Sequence, residues 1–287
     1  MEQYLGRVVL IGKNSFIGKQ VLRNFANQNI NCVSLGREDL DLTSSSAHLK
    51  LKEFLREGDT IVAISAVVPC KSIQDFLKNV IIAENLAKAF SAIKLRQIVN
   101  ISSDAVYPET DNLINEEVLP SPSTIHGLMH FSREMIIDSL KNIPICHIRP
   151  SSIYGIGDPH NSYGPNRFIR EAVINKEITL FGEGTELRDF ISVTEVASLI
   201  TRVVSKGSVG VYNAVSGEAI TFLEIANAIA SISKIRIHRL KSDIVSPKNN
   251  RREFNAIKSQ TEFPLIVQEK SIDSIINLHK QFMKITC

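Results

Sequence analysis

The sequence predicts an α/β protein, with a doubly wound parallel sheet followed by a smaller α/β domain. Through the first 150 residues, short β-branched runs alternate with segments whose apolar residues recur at helical spacing. Such alternation is typical of βαβ units, which place their strands parallel. The run at residues 61–68 is almost wholly apolar, as expected for a strand that helices cover on both sides. A glycine-rich turn after the first strand completes the pattern.

Each element of this first part follows from one of two periodicities. The first helix carries Ile17, Val21 and Phe25 on one face, and the longest helix repeats its apolar residues at spacings of three and four. The strands are short apolar or β-branched runs. In chain order we predict strand 7–11, helix 16–26, strands 30–35 and 61–68, helix 73–93, strand 97–101, helix 125–140 and strand 145–148.

The pattern loosens after Pro150, where the second domain is expected. Residues 156–166 are rich in turn formers and indicate a functional loop. Further helices are predicted at 193–204, 221–231 and 271–283. We expect one domain to comprise residues 1–150 and about 189–215, and the other about 151–188 and 216–287. The active cleft is expected between them, at the carboxyl ends of the strands.

Composition excludes several classes of protein. Lys and Arg exceed Asp and Glu by 33 to 30, and this small excess is dispersed, so no nucleic-acid partner is expected. The longest apolar runs are far shorter than the ~20 residues of a membrane helix. The four cysteines lie far apart without metal-binding spacing, which favours free thiols and no metal site. With no signal peptide recognised at the start, we expect a cytoplasmic protein.

The turn after the first strand is a candidate dinucleotide site. Gly12 and Gly18 would make the tight turn and let the backbone approach a pyrophosphate, which the following helix N-terminus would bind. Ser15 stands where a third glycine is usual, so its side chain would either crowd the cofactor or bond a phosphate. A plain βα turn is the alternative. The candidate cofactor residues of the turn are Gly12, Asn14, Ser15, Phe16, Ile17 and Gly18.

Arg37 suggests which dinucleotide binds. NAD sites usually offer an acid at the end of the second strand, whereas an arginine can accept the 2′-phosphate of NADP. Here Leu35-Gly36-Arg37 ends the strand, and the acids Glu38 and Asp39 follow only afterwards. We therefore expect NADP, with NAD possible and with a solvated surface arginine as the alternative role of Arg37.

With the glycine turn placed, the chain resembles the extended short-chain dehydrogenase/reductase family of NAD(P)-dependent nucleotide-sugar epimerases, dehydratases and reductases. The resemblance implies a Rossmann-type first domain. It rests on an ordered set of motifs: Gly12-x5-Gly18, Asp41-Leu42, Asn79, residues 101–107 (Ile-Ser-Ser-Asp-Ala-Val-Tyr), 149–155 (Arg-Pro-Ser-Ser-Ile-Tyr-Gly), 181–191 (Phe-Gly-Glu-Gly-Thr-Glu-Leu-Arg-Asp-Phe-Ile) and 211–218 (Val-Tyr-Asn-Ala-Val-Ser-Gly-Glu).

The resemblance also implies roles for single residues. Ser103 matches the catalytic serine that bonds the substrate oxygen, and Arg188 matches a substrate-phosphate ligand, with an ion pair to Asp189 or a neighbouring acid as the alternative. Ser152 stands where many relatives carry a substrate-binding asparagine. The further implied cofactor residues are Asp41, Leu42, Ala63, Ser65, Ala66 and Asn79, and the further implied phosphate ligands are Arg251 or Arg252.

One departure from the family concerns the catalytic pair. The family's Tyr-x-x-x-Lys motif is replaced here by His126 and His130, with Gly127 and Glu134 keeping the register. Imidazole titrates near pH ~6.5, so His126 needs no lysine to serve as an acid or base. Neutral His130 offers one donor and is a poorer ribose ligand than lysine. Three interpretations stay open: a working proton shuttle, a decayed site that still binds cofactor, and a metal-binding pair.

These observations predict an NADP-linked oxidoreductase or epimerase that acts on a nucleotide-activated sugar. Ser103 would hold the sugar oxygen and His126 would carry the proton, in surface-polysaccharide or deoxysugar biosynthesis. The alternative is a binding module that keeps NAD(P) or a nucleotide without turnover. The family often forms dimers through the helices expected here at 73–93 and 125–140, so a homodimer is possible.

Overall fold

The computed structural model describes residues 6–241, 251–264 and 270–286, and their contacts form two compact units. The first unit contains the chain up to Pro108, together with Glu116–Pro150 and Val196–Ala214. The second contains Glu109–Asn115, Ser151–Glu195 and the chain from Val215 onward. No helix in these described ranges is both long enough and apolar enough to cross a membrane.

The first unit is built on six parallel strands, which confirms the predicted Rossmann-like doubly wound sheet. Their spatial order is β2-β1-β3-β4-β5-β9, so the strand order reverses between β1 and β3. Ligands of such sheets bind outside the carboxyl ends of the strands at this reversal. The strands are β1 Val8–Ile11, β2 Cys32–Leu35, β3 Thr60–Ala63, β4 Gln97–Ile101, β5 Ile145–Pro150 and β9 Gly210–Ala214.

Helices cover this sheet because one face of each is apolar. Val21 and Phe25 of the first helix are buried, and so are Leu86 and Phe90 of the third. Leu86 and Phe90 pack with strand residues such as Ile61 in one apolar core. The helices are α1 Phe16–Asn27, α2 Ala47–Phe54, α3 Ile73–Phe90, α4 Ile125–Asp138 and α6 Val193–Lys206, and a 3-10 turn covers Asp104–Val106.

In its described residues, the second unit combines two small sheets with four helices. In the first sheet β8 pairs with β10, β12 and β6, and in the second β7 pairs with β11. Its core contains the aromatic rings of Tyr163, Phe168, Phe190 and Phe222. The elements are β6 Ser152–Tyr154, α5 Pro165–Ile174, β7 Glu177–Phe181, β8 Leu187–Ser192, β10 Ala219–Thr221, α7 Phe222–Ser233, β11 Arg236–Leu240, β12 Arg251–Arg252, α8 Ile257–Glu262 and α9 Ser271–Thr286.

The third strand is shorter than its apolar sequence predicts. It ends at Ala63 rather than at residue 68. The N–H groups of Ile64 and Ser65 both converge on the carbonyl of Ile11, and side chains take backbone groups beyond that point. Arg133 donates to the carbonyl of Ser65, and the amide of Asn79 pairs with the N–H and the carbonyl of Val67. Helices α2 and α5 were also not predicted. The apolar residues of α2 are separated by many polar ones, and turn-forming residues come directly before α5, so neither helix shows a clear apolar periodicity in the sequence.

Candidate active site

The glycine turn closes tightly between the ends of β1 and β3. Gly12 has φ of +114°, and a Cβ there would lie 3.0 Å from the backbone nitrogen of Ser65. A Cβ on Gly18 would lie 2.2 Å from the carbonyl oxygen of Gly12. Both positions therefore require glycine, and the bare backbone forms a shallow cradle at the point where the strand order reverses.

Ser15 caps the helix that follows this turn. Its Oγ accepts the N–H of Gly18 at 3.0 Å and donates to the carbonyl oxygen of Gly12 at 2.8 Å. The hydroxyl is thus used within the turn, whereas the sequence left open a bond to phosphate. By helix geometry the N–H groups of Phe16 and Ile17 have no intrahelical acceptor. They present positive partial charge at the cradle, which fits the pyrophosphate of a dinucleotide.

Charged side chains after β2 reach back to the glycine turn. Nζ of Lys13 lies 2.6 Å from Asp39 and 3.0 Å from Glu38, and the amide nitrogen of Asn14 lies 2.9 Å from Glu38. Hydrogen bonds from Lys13 and from the Gly36 backbone lower the pKa of Asp39. Arg37 is 79% exposed and lies 3.3 Å from Asp41. Sequence reasoning found Arg37 and missed Lys13, although Lys13 directly follows Gly12.

The segment expected to contact adenine is held by side chains of the first unit. Asp41 accepts the N–H and hydroxyl of Thr43 at 3.0 and 2.7 Å, and Leu42 is buried. The buried amide of Asn85 donates to the carbonyls of Leu42 and Ser44 at 3.0 and 2.7 Å. Asn85 therefore fixes the backbone of this loop, a role that carries no sequence motif.

Two buried polar residues fix the segment after β3 that contains Ala63, Ser65 and Ala66. The side-chain amide of Asn79 accepts the N–H of Val67 and donates to the carbonyls of Val67 and Asp75, so it holds the segment in place. Arg133, on α4, donates to Ala63 O at 2.9 Å, to Asn100 Oδ1 at 2.7 Å and to Ser65 O. Burial lowers the pKa of Arg133 to about 10. Sequence reasoning missed this arginine. The feature that could have revealed it is a charged residue at a position that helical spacing places on the buried face of α4.

Ser103 begins the short turn after β4 and faces the start of α4. Its Oγ accepts the N–H of Ala105 at 3.2 Å and donates to Asp104 at 3.3 Å. A Cβ on Gly127 would lie 2.0 Å from the carbonyl oxygen of Ala105, so the two backbones are in direct contact. This contact sets the positions of Ser103 and of the adjacent His126 relative to each other.

The two histidines that replace the family's tyrosine and lysine lie side by side on α4. Their rings meet edge to face, with centroids 4.8 Å apart. Nδ1 of His126 accepts the backbone N–H of Cys70 at 3.3 Å. Burial lowers the pKa of His126, while the charge of Asp104 raises it. Burial, together with His126 and Arg133, holds the pKa of His130 well below its ordinary value, so both rings are neutral at pH 7.

Nδ1 of His130 is buried and has no hydrogen-bond partner within the described part of the chain. The helix that carries both rings is anchored further along by Glu134, which forms a buried bidentate pair with Arg149 at 2.9 and 2.6 Å. Within the described ranges, no group of three or more His, Cys, Asp or Glu side chains is arranged to hold a metal ion.

In the second unit, the predicted phosphate ligands meet across a strand pair. Strands β12 and β8 are parallel, and Arg252 is the register partner of Arg188. Arg251 lies 2.6 Å from Glu253, and Arg252 lies 3.9 Å from Glu109. Nη1 of Arg188 donates to the carbonyl oxygen of Leu187 at 2.9 Å. Ser152 lies on β6, with its side chain exposed.

Asp189, next to Arg188, is committed to a different set of partners. It accepts hydrogen bonds from the hydroxyls of Ser151 and Ser216 at 2.7 and 2.9 Å, and from the backbone N–H groups of Ser216 and Gly217. Burial raises the pKa of this carboxyl, and these hydrogen bonds oppose the rise. Asp189 thereby ties the start of β6 to the turn before β10.

Comparison with known proteins agrees with this architecture. Residues 8–214 match the model of the NAD dependent epimerase/dehydratase family. The chain is 25% identical over 179 residues to a dTDP-D-glucose 4,6-dehydratase of Dictyostelium discoideum, covering 57% of this chain and 41% of the dehydratase. It is 26% identical over 211 residues to a GDP-6-deoxy-D-talose 4-dehydrogenase of Aggregatibacter actinomycetemcomitans, covering 70% of each.

Among solved structures, MoeE5 in complex with UDP-glucose and NAD has the same fold, with a TM-score of 0.84 at 19% identity. The alignment covers 98% of this chain and 100% of MoeE5. These similarities confirm the resemblance to the extended short-chain dehydrogenases/reductases. Because the family model matches well over half of its residues, the chain belongs to the NAD dependent epimerase/dehydratase family.

Proposed function

We propose that this chain is an NAD(P)-dependent oxidoreductase or epimerase that acts on a nucleotide-activated sugar. The observation that carries the proposal is the closed glycine turn at the reversal of strand order, where Gly12 and Gly18 leave no room for a Cβ. A helix N-terminus behind bare backbone suits a pyrophosphate. When bound, a dinucleotide supplies two-electron chemistry at a sugar carbon.

The residues that would hold the dinucleotide follow from this placement. The N–H groups of Phe16 and Ile17 bind the pyrophosphate, the Asp41–Leu42 segment borders the adenine, and the segment from Ala63 to Ala66 lines the remainder. NADP is the preferred form, because Arg37 and Lys13 bring two cations to the end of β2. Glu38 and Asp39 partly offset them, so NAD is the weaker alternative.

Ser103 and His126 are the residues proposed to contact the reacting sugar. The Ser103 hydroxyl holds the sugar oxygen, and the imidazole of His126 supplies the second polar contact. Their shared backbone contact, Gly127 against Ala105, keeps both in one arrangement. His130 takes the position of the family's lysine and packs against the ring of His126. Because His130 is neutral, the positive charge near these rings on α4 is that of the buried Arg133.

The substrate class follows from the arginine pair of the second unit. Arg188 and Arg252 suit a diphosphate, since a guanidinium binds two phosphate oxygens at once. Relatives named for dTDP-D-glucose and GDP-6-deoxy-D-talose make dTDP- and GDP-linked sugars the first candidates, in deoxysugar or surface-polysaccharide biosynthesis. The free thiols of Cys32, Cys70 and Cys146 suit the reducing cytoplasm.

Titration calorimetry tests the proposal. The protein is titrated with NADP, NAD and a panel of UDP-, dTDP- and GDP-sugars, and each mixture is then followed for absorbance change of the nicotinamide. Binding of one dinucleotide and one sugar nucleotide with turnover is expected. Binding without turnover for every sugar would identify a non-catalytic binding module, and no dinucleotide binding would overturn the proposal. Arg37→Ala is expected to narrow the preference for NADP over NAD.

We also propose that the first unit forms a homodimer through α3 and α4. Ile73 and Leu77 on α3 are 68% and 55% exposed, and Leu128 and Met135 on α4 are 45% and 57% exposed. An apolar face on two adjacent helices suits a second copy of the same face. Sedimentation is expected to show a dimer that Leu77→Glu converts to monomer. Leu119→Glu, at a leucine that lies outside both helices and is 82% exposed, serves as the control.

A further inference from the structure

The hydrogen bond between Cys70 and His126 determines where the proton of the imidazole lies. A backbone N–H can only donate, so Nδ1 of His126, 3.3 Å away, must accept and carries no proton. A neutral imidazole has one proton, which therefore lies on Nε2. Within the described ranges, no side chain or backbone group forms a hydrogen bond with Nε2. His126 thus presents an N–H donor whose orientation is fixed from behind.

The surroundings of the ring favour its neutral form. His130 lies edge to face against it, and the buried cation Arg133 lies on the same helix one turn beyond His130. Asp104 is the opposing charge, on the turn that begins at Ser103. Adding a proton at Nδ1 would break the bond to Cys70 and place two donors face to face. Burial favours the neutral ring, and the Cys70 bond selects one tautomer of that neutral ring.

We propose that His126 is a fixed hydrogen-bond donor to a carbonyl oxygen, so that the substrate is a keto-sugar nucleotide and the reaction is its reduction. This inference rests on the proposed function and narrows it to the reduction of a keto-sugar. Neutral imidazole N–H groups can polarise a carbonyl, and preorganised donors stabilise the negative charge that develops on its oxygen. Ser103 Oγ lies on the adjoining turn and would be the second donor once its hydroxyl turns from Asp104 to the carbonyl oxygen.

The chemistry balances with a reduced nicotinamide as the co-reactant. The carbonyl carbon gains two electrons and a hydrogen as the dinucleotide is oxidised, and the C=O π bond breaks toward oxygen. The oxygen is held as an alkoxide by Nε2–H of His126 and takes one proton from water. His126 keeps its own proton throughout, so the fixed tautomer is compatible with every step.

A role for His126 as a catalytic base would require the other tautomer of the imidazole. An epimerase or dehydratase that begins at a sugar hydroxyl needs a base to take the hydroxyl proton. For His126 this base would be Nε2 without its proton, and the proton would then sit on Nδ1 against the N–H of Cys70. That tautomer loses the hydrogen bond and gains a repulsion, so the arrangement disfavours hydroxyl oxidation.

Nitrogen-15 NMR of the ligand-free protein tests the tautomer directly. Two-bond proton–nitrogen correlations distinguish a protonated from an unprotonated ring nitrogen, and His126→Phe identifies the His126 signals by their loss. At pH 7.5 we expect His126 to carry its proton on Nε2, with Nδ1 as acceptor. A proton on Nδ1, or an even mixture, would overturn the inference whether or not the protein binds a dinucleotide.

Variants at Cys70 test whether its backbone N–H determines the tautomer of His126. Cys70→Pro removes the amide hydrogen, and Cys70→Ala is the matched control that keeps it. The proline variant is expected to mix the two tautomers, and the alanine variant to keep the Nε2–H form. If both keep one tautomer, the Cys70 amide does not set it. If the proline variant does not fold, the wild-type spectrum still decides.

Ligand affinity provides the second readout. dTDP-4-keto-6-deoxyglucose and dTDP-6-deoxyglucose differ only in the oxygen that His126 would bind. His126→Phe is expected to weaken binding of the keto form about tenfold, the loss of one hydrogen bond, and to change binding of the hydroxyl form less. Equal losses for both would contradict the inference. Failure of both to bind the wild type would count against the proposed substrate class, while the NMR result would stand independently.

Discussion

Gly127 and Ala105 are in backbone contact, since a Cβ on Gly127 would lie 2.0 Å from the carbonyl oxygen of Ala105. Gly127 is the third residue after the helix cap Thr124, and its N–H donates to the Thr124 hydroxyl at 3.1 Å. The contact joins the helix with His126 to the turn with Ser103. One position without a side chain thus sets the spacing of two proposed catalytic groups.

Gly127→Ala is expected to disturb both stability and catalysis. The methyl group cannot fit without a backbone shift, and overpacking of this kind costs about 1–3 kcal/mol. Chemical denaturation measures the loss of stability, and kcat is expected to fall further than dinucleotide binding. Gly6→Ala is the control, because a Cβ there meets its nearest neighbour at an ordinary 3.4 Å. Equal behaviour of the two variants would contradict the proposed contact.

Replacing His126 is expected to remove chemistry and keep the fold. His126→Phe keeps an aromatic ring against His130 and removes the N–H donor of the imidazole. Losing one donor to a developing oxyanion costs about 10²–10³ in rate. Turnover and dinucleotide affinity are measured on the same sample. A variant that retains wild-type kcat would show that His126 does not contact the reacting oxygen.

The pH dependence of the wild type reports the same ring. Burial lowers the pKa of His126 below its ordinary 6.5, and the nearby Asp104 limits the shift. If the neutral ring is the working form, kcat/KM is constant above pH 6.5 and falls as the pH drops through the lowered pKa. The ordinary value used in the sequence analysis would place this ionisation near pH ~6.5. An inflection above pH 6.5 that disappears in His126→Phe would contradict the structure.

His279 makes stability pH-dependent in the second unit. It is completely buried, its Nε2 lies 2.6 Å from the Ser233 hydroxyl, and burial lowers its pKa. The unfolded chain keeps the ordinary value of 6.5, so it binds more protons than the folded state below that pH. The stabilisation is therefore present above pH 6.5 and is lost as pH falls toward the folded-state pKa.

Thermal unfolding between pH 5 and 8 measures this effect. The melting temperature of the wild type is expected to drop below pH 6.5, and His279→Leu is expected to flatten that drop. His160→Leu, at an exposed ring in the same unit, is the control and should follow the wild type. An unchanged pH slope in His279→Leu would show that this histidine does not contribute to the acid sensitivity.

Arg252→Ala tests the arginine pair. Removing one of two guanidinium groups from a diphosphate costs about 1.5–3 kcal/mol, which is about 10- to 100-fold in Kd for the sugar nucleotide. Dinucleotide affinity should be unchanged. Arg239→Ala is the matched control, since Arg239 is a surface arginine of the same unit that pairs with Glu183 at 2.9 Å. If both variants bind the sugar nucleotide equally well, the diphosphate lies elsewhere.

The parallel sheet was predictable because its signal is local. Apolar strand runs and helical spacing at Ile17, Val21 and Phe25 fix the element types, and parallel strands require the crossovers between them. The end of β3 was not predictable. Arg133, which takes the carbonyl of Ser65, lies 68 residues away along the chain, and no local pattern encodes that bond.

Some features of the candidate site were likewise predictable from the sequence, and others were not. The glycines and His126 were identified from motifs, because backbone approach and imidazole chemistry depend on residue type. The tautomer of His126 was not, since its partner is a backbone group at Cys70, 56 residues distant, and any residue but proline offers the same N–H. The pairing of Lys13 with Asp39 was missed for a similar reason, because it depends on how two loops meet.

A crystal structure with bound dinucleotide tests the central claim most directly. The account predicts the pyrophosphate at the N–H groups of Phe16 and Ile17, beside Gly12 and Gly18, with the nicotinamide ring on the side of His126. A dinucleotide bound away from the glycine turn, or a nicotinamide ring directed away from His126, would contradict it.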